Sequence, residues 1–105
     1  MKVAMISTWR VACGVGKYCE DLCNELVGST ELKVFAETTN NELEKINPNI
    51  NIEYERCYTR GGSYENLYQK LLEYKPDIVH IQFESSMFQE SYNPYPILKI
   101  HNWFL

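Results

Sequence analysis

The stretch "KVAMISTWRVACGVGKYCEDLCNEL", Lys2 to Leu26, decides the fold. It opens with a short apolar run containing β-branched residues, Lys2–Ser7, which reads as a strand. From about Gly14 to Val27 the period changes to that of a helix. Tyr18, Leu22 and Leu26, with Cys19 and Cys23 beside them, form one apolar stripe, and Glu20, Asp21, Asn24 and Glu25 lie mainly outside it. Gly28 stands where a helix is expected to stop. A strand, a glycine-containing turn and a helix in that order form the opening of an α/β unit.

The rest of the chain repeats the alternation. Leu32–Ala36 is a second apolar run, and the polar "ETTNNELEKINPN" follows, with one helical turn expected near Glu42–Ile46. Ile50–Tyr58 alternates as a third strand, and "TRGG" is a loop. Ser63 occupies an N-cap position. Tyr64, Leu67, Tyr68, Leu71 and Leu72 then recur at i, i+3, i+4, i+7 and i+8, giving a second amphipathic helix that Pro76 ends. Asp77–Phe83 reads as a fourth strand with apolar residues on both faces, as in a central parallel strand covered by helices on both sides. A loop, "ESSMFQESYNPYP", and the start of another helix from Pro96 are expected after it. The order predicts a single Rossmann-like α/β domain over 1–105, an open parallel sheet of about four strands with helices on both faces. Such sheets bind ligands at the carboxyl ends of their strands. Three places qualify: Thr8–Gly16, Arg60–Gly62 and Gln82–Ser86.

Composition narrows the partners. The net charge is −4 with no basic cluster, which argues against nucleic acid. No apolar run approaches a membrane span, and "MKVAMIS" lacks the long apolar stretch of a signal peptide, so a cytoplasmic protein is expected. The four cysteines, Cys13, Cys19, Cys23 and Cys57, match no metal spacing and read as small apolar packing. No metal is expected. The terminal "ILKIHNWFL" is apolar around much of its circumference. It predicts either a chain that continues or a partner covering Ile97–Leu105.

The glycine turn fits neither of two common phosphate loops. A nucleotide-hydrolysing P-loop needs a glycine where Val11 stands and a hydroxyl where Tyr18 stands. The dinucleotide fingerprint is met only as Gly14-Val15-Gly16, with Cys19 at the third glycine; Glu37, after the second strand, is an acid in the ribose-binding position. What remains is the general property of glycines at a helix start, where backbone N–H groups approach an anion closely. A tight turn with no ligand is the alternative.

The segments "MKVAMISTW…CGVGKYCEDLCNEL" and "YENLYQKLLEYKPDIVHIQFE" together resemble the N-terminal domain of family 4 glycosyltransferases, the retaining group with the GT-B fold. The resemblance implies a Rossmann-like, acceptor-side domain, a C-terminal partner domain that grips a nucleotide sugar, and transfer in the cleft between them. It implies no cofactor, the nucleotide sugar being a substrate. Gly14, Gly16 and Lys17 would line the cleft near donor phosphates or a phosphorylated acceptor, with Tyr18 packed behind the turn. His80, Gln82 and Glu84 would belong to the motif at the fourth strand, with Gln82 and Glu84 nearest its end. The family's C-terminal pair of glutamates is not in this sequence, so the 105 residues alone are expected to be inactive, a fragment or truncated form. A mid-strand His80 reads more readily as a hydrogen-bonded core residue, and His101 as a helix residue. Arg60 beside Gly61-Gly62 is a further candidate for an anionic acceptor. Two other readings remain: a stand-alone Rossmann-like binding or oligomerisation module, and a nucleotide-cofactor-binding domain.

Overall fold

The computed structural model describes residues 1–82. The expectations for Phe83, Glu84, the 84–96 loop, the helix from Pro96, His101 and the Ile97–Leu105 surface lie outside the described residues. Six elements follow one another: β1 (Lys2–Ser7), α1 (Gly14–Leu26), β2 (Glu31–Glu37), β3 (Glu53–Tyr58), α2 (Glu65–Tyr74) and β4 (Ile78–Ile81). All strand pairs are parallel, in the order β3-β2-β1-β4. This is a small, Rossmann-like open α/β sheet.

Alternation along each strand divides the core into two layers. Ala4, Ile6 and Phe35 face α2, where they meet the fully buried Leu67 and Leu71. Burying each of these leucines contributes about 1.5–3 kcal/mol. Val3, Met5, Val34 and Ala36 face the other way, onto Cys19 and Cys23 of α1 and onto Trp9. The helices therefore cover opposite faces, as the βα alternation predicts.

Several boundaries and faces differ from the sequence reading. β3 begins at Glu53, because pairing with β2 starts at Lys33 opposite Glu53; Ile50 and Ile52 precede the ladder yet still pack on the α1-side core. The 42–46 segment forms no helical turn. Gly28 is not a left-handed cap. Val27 caps α1 in right-handed geometry, and Thr30 N–H and Oγ1 both donate to the Leu26 carbonyl. Ser63 does not occupy the N-cap, which is Tyr64, but its Oγ accepts from Glu65 N–H at 3.1 Å. Lys75 ends α2 in left-handed conformation (φ 54°), ahead of Pro76.

The apolar face of α1 is rotated from the expected stripe. Cys19, Cys23, Gly16 and Glu20 are buried, whereas Tyr18 is 61% exposed and does not pack behind the turn. Among the described residues β4 pairs with β1, its α1-side positions, Ile78 and His80, are exposed, and Val79 and Ile81 pack toward α2. Among the described residues no helix is long and apolar enough to cross a membrane.

Candidate functional site

The chain runs from β1 outward to β2 and β3, then returns through α2 to place β4 on the other side of β1. The strand order thus reverses between β1 and β4, the place where ligands settle in sheets of this kind. The turn from Thr8 to Cys13 lies at the carboxyl end of β1, directly at that reversal.

The turn is closed by its own short-range bonds. Cys13 N–H donates to the Val11 carbonyl at 2.8 Å, and Cys13 is the N-cap of α1. Its Sγ accepts from Gly16 N–H at 3.3 Å and lies 3.4 Å from Thr8 Oγ1. A Cβ on Gly16 would sit 3.3 Å from Thr8 Oγ1 and 3.4 Å from Val11 Cγ2, so the turn packs closely against this residue. Lys17 N–H reaches the Cys13 carbonyl at 3.2 Å. Gly14 and Val15 N–H are left, among the described residues, without an acceptor at the positive end of the helix, and no acidic residue stands in its first turn.

Beside these amides lies a cavity of about 380 Å³. The glycine turn with Lys17 forms one wall, and Leu43, Glu44 and Ile46 form the other. Arg10 and Glu20 also line it. The second wall is a strap without regular structure, held at three points. Leu43 N–H donates to the Arg10 carbonyl at 2.7 Å, and Ile46 N–H donates to Glu20 Oε2 at 2.9 Å. Glu42 accepts from Arg56 Nη2 at 2.6 Å and from the Tyr54 hydroxyl at 2.9 Å. Those bonds, Arg56 first, hold the Glu42 carboxyl below its ordinary range. Arg56 also donates to the carbonyls of Glu37 and Trp9, tying β2, β3 and the turn together.

Arg10 sits in left-handed conformation (φ 51°), which turns its side chain inward. The side chain is 7% exposed; its Nε lies 3.5 Å from Glu20 Oε2, and the guanidinium carbon stands 5.2 and 4.9 Å from the Trp9 and Tyr54 ring centres. This pair explains the rotation of α1: Glu20 is drawn inward by a buried cation and displaces Tyr18 to solvent.

The residues singled out from sequence fall into three groups. Gly14, Gly16 and Lys17 come together on one cavity. His80 and Gln82 are joined elsewhere on the same edge, their Nε2 atoms 3.0 Å apart, and Gln82 N–H donates to the Ile6 carbonyl. His80 is exposed rather than a core histidine. Arg60 is engaged by Glu37, with Nε and Nη2 at 3.0 and 3.2 Å from its two carboxylate oxygens. That contact also occupies the acid that a dinucleotide would need for its ribose. Arg10, Glu20, Leu43 and Ile46 are the residues missed from sequence. An arginine in a turn and a glutamate on a helix are ordinarily solvated, and no short-range pattern marks them.

Among the described residues no group of three or more His, Cys, Asp or Glu side chains is placed to hold a metal ion. The site offers the Gly14 amide, Lys17, a buried arginine and two carboxylates, Glu20 and Glu44, beside Leu43 and Ile46. In comparison with known proteins, the chain matches no protein-family model, no curated protein and no solved structure.

Proposed function

We propose that this chain is the acceptor-side, Rossmann-like domain of a glycosyltransferase that moves a sugar from a nucleotide-sugar donor to an acceptor, working with a second domain that grips the donor. One observation carries the reading: at the strand-order reversal, α1 starts from a glycine turn whose uncommitted Gly14 amide and Lys17 line a cavity. Such amides compensate the negative charge that develops on a departing diphosphate, and they need no rearrangement at the moment of transfer. Gln82 and His80, at and near the end of β4, are assigned to acceptor hydroxyls, a task of positioning. Glu84 is assigned the same task from its place in the sequence motif.

The test is titration of the ¹⁵N-labelled chain with UDP-glucose and GDP-mannose, with NADH as the competing cofactor class. Shifts of the Gly14, Val15, Gly16 and Lys17 amides on adding a nucleotide sugar, weakened in Lys17→Met, are the expected result. Binding of NADH alone would replace this reading with a cofactor-binding domain. Sugar transfer by the 105 residues on their own would overturn the two-domain division of labour.

A further inference from the structure

A buried guanidinium normally spends its N–H donors on acceptors, because desolvating them unpaired is costly. Arg10 does not follow this rule. Its side chain is 7% exposed, and its Nε is wholly buried with no hydrogen-bond partner among the described residues. It is surrounded instead by two ring faces and the Glu20 carboxylate, which at 3.5 Å makes an ion pair but no hydrogen bond. Glu20 meanwhile receives Ile46 N–H, so part of its charge is met from elsewhere. Arg10 lines the same cavity as the start of α1, where the Gly14 and Val15 amides also lack acceptors.

We propose that this cavity binds an organic anion, a carboxylate or phosphate ester on an apolar body, with Arg10 as the buried anchor of the oxyanion. Lys17 plays the lesser part because it is exposed and its charge is shared with solvent. The lining carries two cations, Arg10 and Lys17, and two carboxylates, Glu20 and Glu44, so net charge does not select the ligand. Selection comes from donors that lack hydrogen-bond acceptors, the Arg10 guanidinium and the Gly14 amide, which line one space. The apolar body is matched by Leu43 and Ile46 of the opposite wall, which also carries Glu44. A cavity of about 380 Å³ is at the small end of ligand sites, sized for one ring or a short chain. This inference does not rest on the transferase reading.

Phenyl phosphate and benzoate are the charged probes, benzyl alcohol the neutral one, and amide shifts of Gly14, Leu43 and Ile46 the readout. The expected result is saturable shifting by at least one charged probe, with benzyl alcohol and the Arg10→Met variant each weaker by about tenfold or more. Lys17→Met should weaken binding by no more than about threefold. Preference between the two charged probes identifies the oxyanion. Equal binding by Arg10→Met, equal binding of benzyl alcohol, or absence of shifts at these amides overturns the proposal. Should Arg10→Met fail to fold, Ile46→Trp decides: it fills the cavity while leaving Arg10 and Glu20 in place, and charged-probe binding that survives it overturns the proposal. A chain that binds phenyl phosphate through Arg10 but ignores nucleotide sugars keeps this inference and loses the transferase reading. Nucleotide-sugar binding that is indifferent to Arg10 does the reverse.

Discussion

The Arg10–Glu20 pair can be weighed directly by a double-mutant cycle with Arg10→Met and Glu20→Met. The two side chains are 7% and 4% exposed, with Nε and Oε2 3.5 Å apart. At an effective dielectric of about 20, charges at that distance attract by roughly 5 kcal/mol, a figure of the same order as the cost of desolvating them. Replacing both with methionine, which fills similar space, should therefore change stability by no more than about 1–2 kcal/mol. Replacing one strands the other in an apolar setting and should cost about 3–5 kcal/mol. Glu20→Met should be the worse, because Ile46 N–H loses its acceptor as well. The left-handed backbone at residue 10 does not confound the cycle, since arginine and methionine carry the same strain there. Urea unfolding followed by far-ultraviolet circular dichroism gives the four free energies. The signature is an inversion: the double variant more stable than either single one, with a coupling of about 4 kcal/mol or more. Additivity within about 0.5 kcal/mol would refute the reasoning, and with it the explanation of why α1 turns Glu20 inward.

The two glycines of the turn should respond in opposite directions. Gly14→Ala meets nothing within 4 Å and should stabilise the chain by up to about 1 kcal/mol, whereas Gly16→Ala presses on Thr8, Val11 and the Cys13 thiol and should lose about 1 kcal/mol net, a contrast readable by thermal melting. Because the folded carboxyl of Glu42 ionises below its ordinary value of 4.5, its contribution is complete above that pH and disappears as pH falls through the lower folded value. The side chain is 41% exposed, so the contribution is under about 1 kcal/mol; Glu42→Gln should flatten the acid limb of a stability–pH curve by that much, and an unchanged limb would contradict the assignment. In the native chain a thiol reagent should label Cys13 alone, since Cys19, Cys23 and Cys57 are buried and burial pushes the Cys57 thiol up to about 12. Rapid native labelling of a second thiol would mean that the α1 or α2 face is packed otherwise.

What was legible in the sequence followed from periodicity. β1 begins and ends at the residues its apolar run marks, and Leu67 and Leu71 fill the core that their helical spacing requires. The parallel sheet was legible too, from the helices that precede β2 and β4. Leu72, at the edge of the same stripe, is 38% exposed, because a helix of ten residues against one layer buries a narrower arc than its pattern suggests. The strap was not legible. Its sequence is polar and turn-prone, and its shape is imposed by Arg56, Tyr54, the Arg10 carbonyl and Glu20, each from a different part of the chain.

The candidate site divides along the same line. The glycines and Lys17 could be read locally, because a strand-to-helix turn needs small residues and because an exposed lysine after them invites a phosphate. Arg10 and Glu20 could not, for their burial exists only once α1 has folded back beside the turn. Hydropathy places both outside the core, and each would be out of place there alone. Together they set the rotation of α1, and that rotation exposes Tyr18 and brings the Glu20 carboxylate under Ile46 to fix the far wall. Arg10 therefore ties together three features that the sequence presents as unrelated: the face of a helix, the position of a loop and the chemistry of a cavity. A change at residue 10 should accordingly alter all three at once, whereas a change at Lys17, on the exposed side of the same turn, should alter binding while leaving the fold as it is.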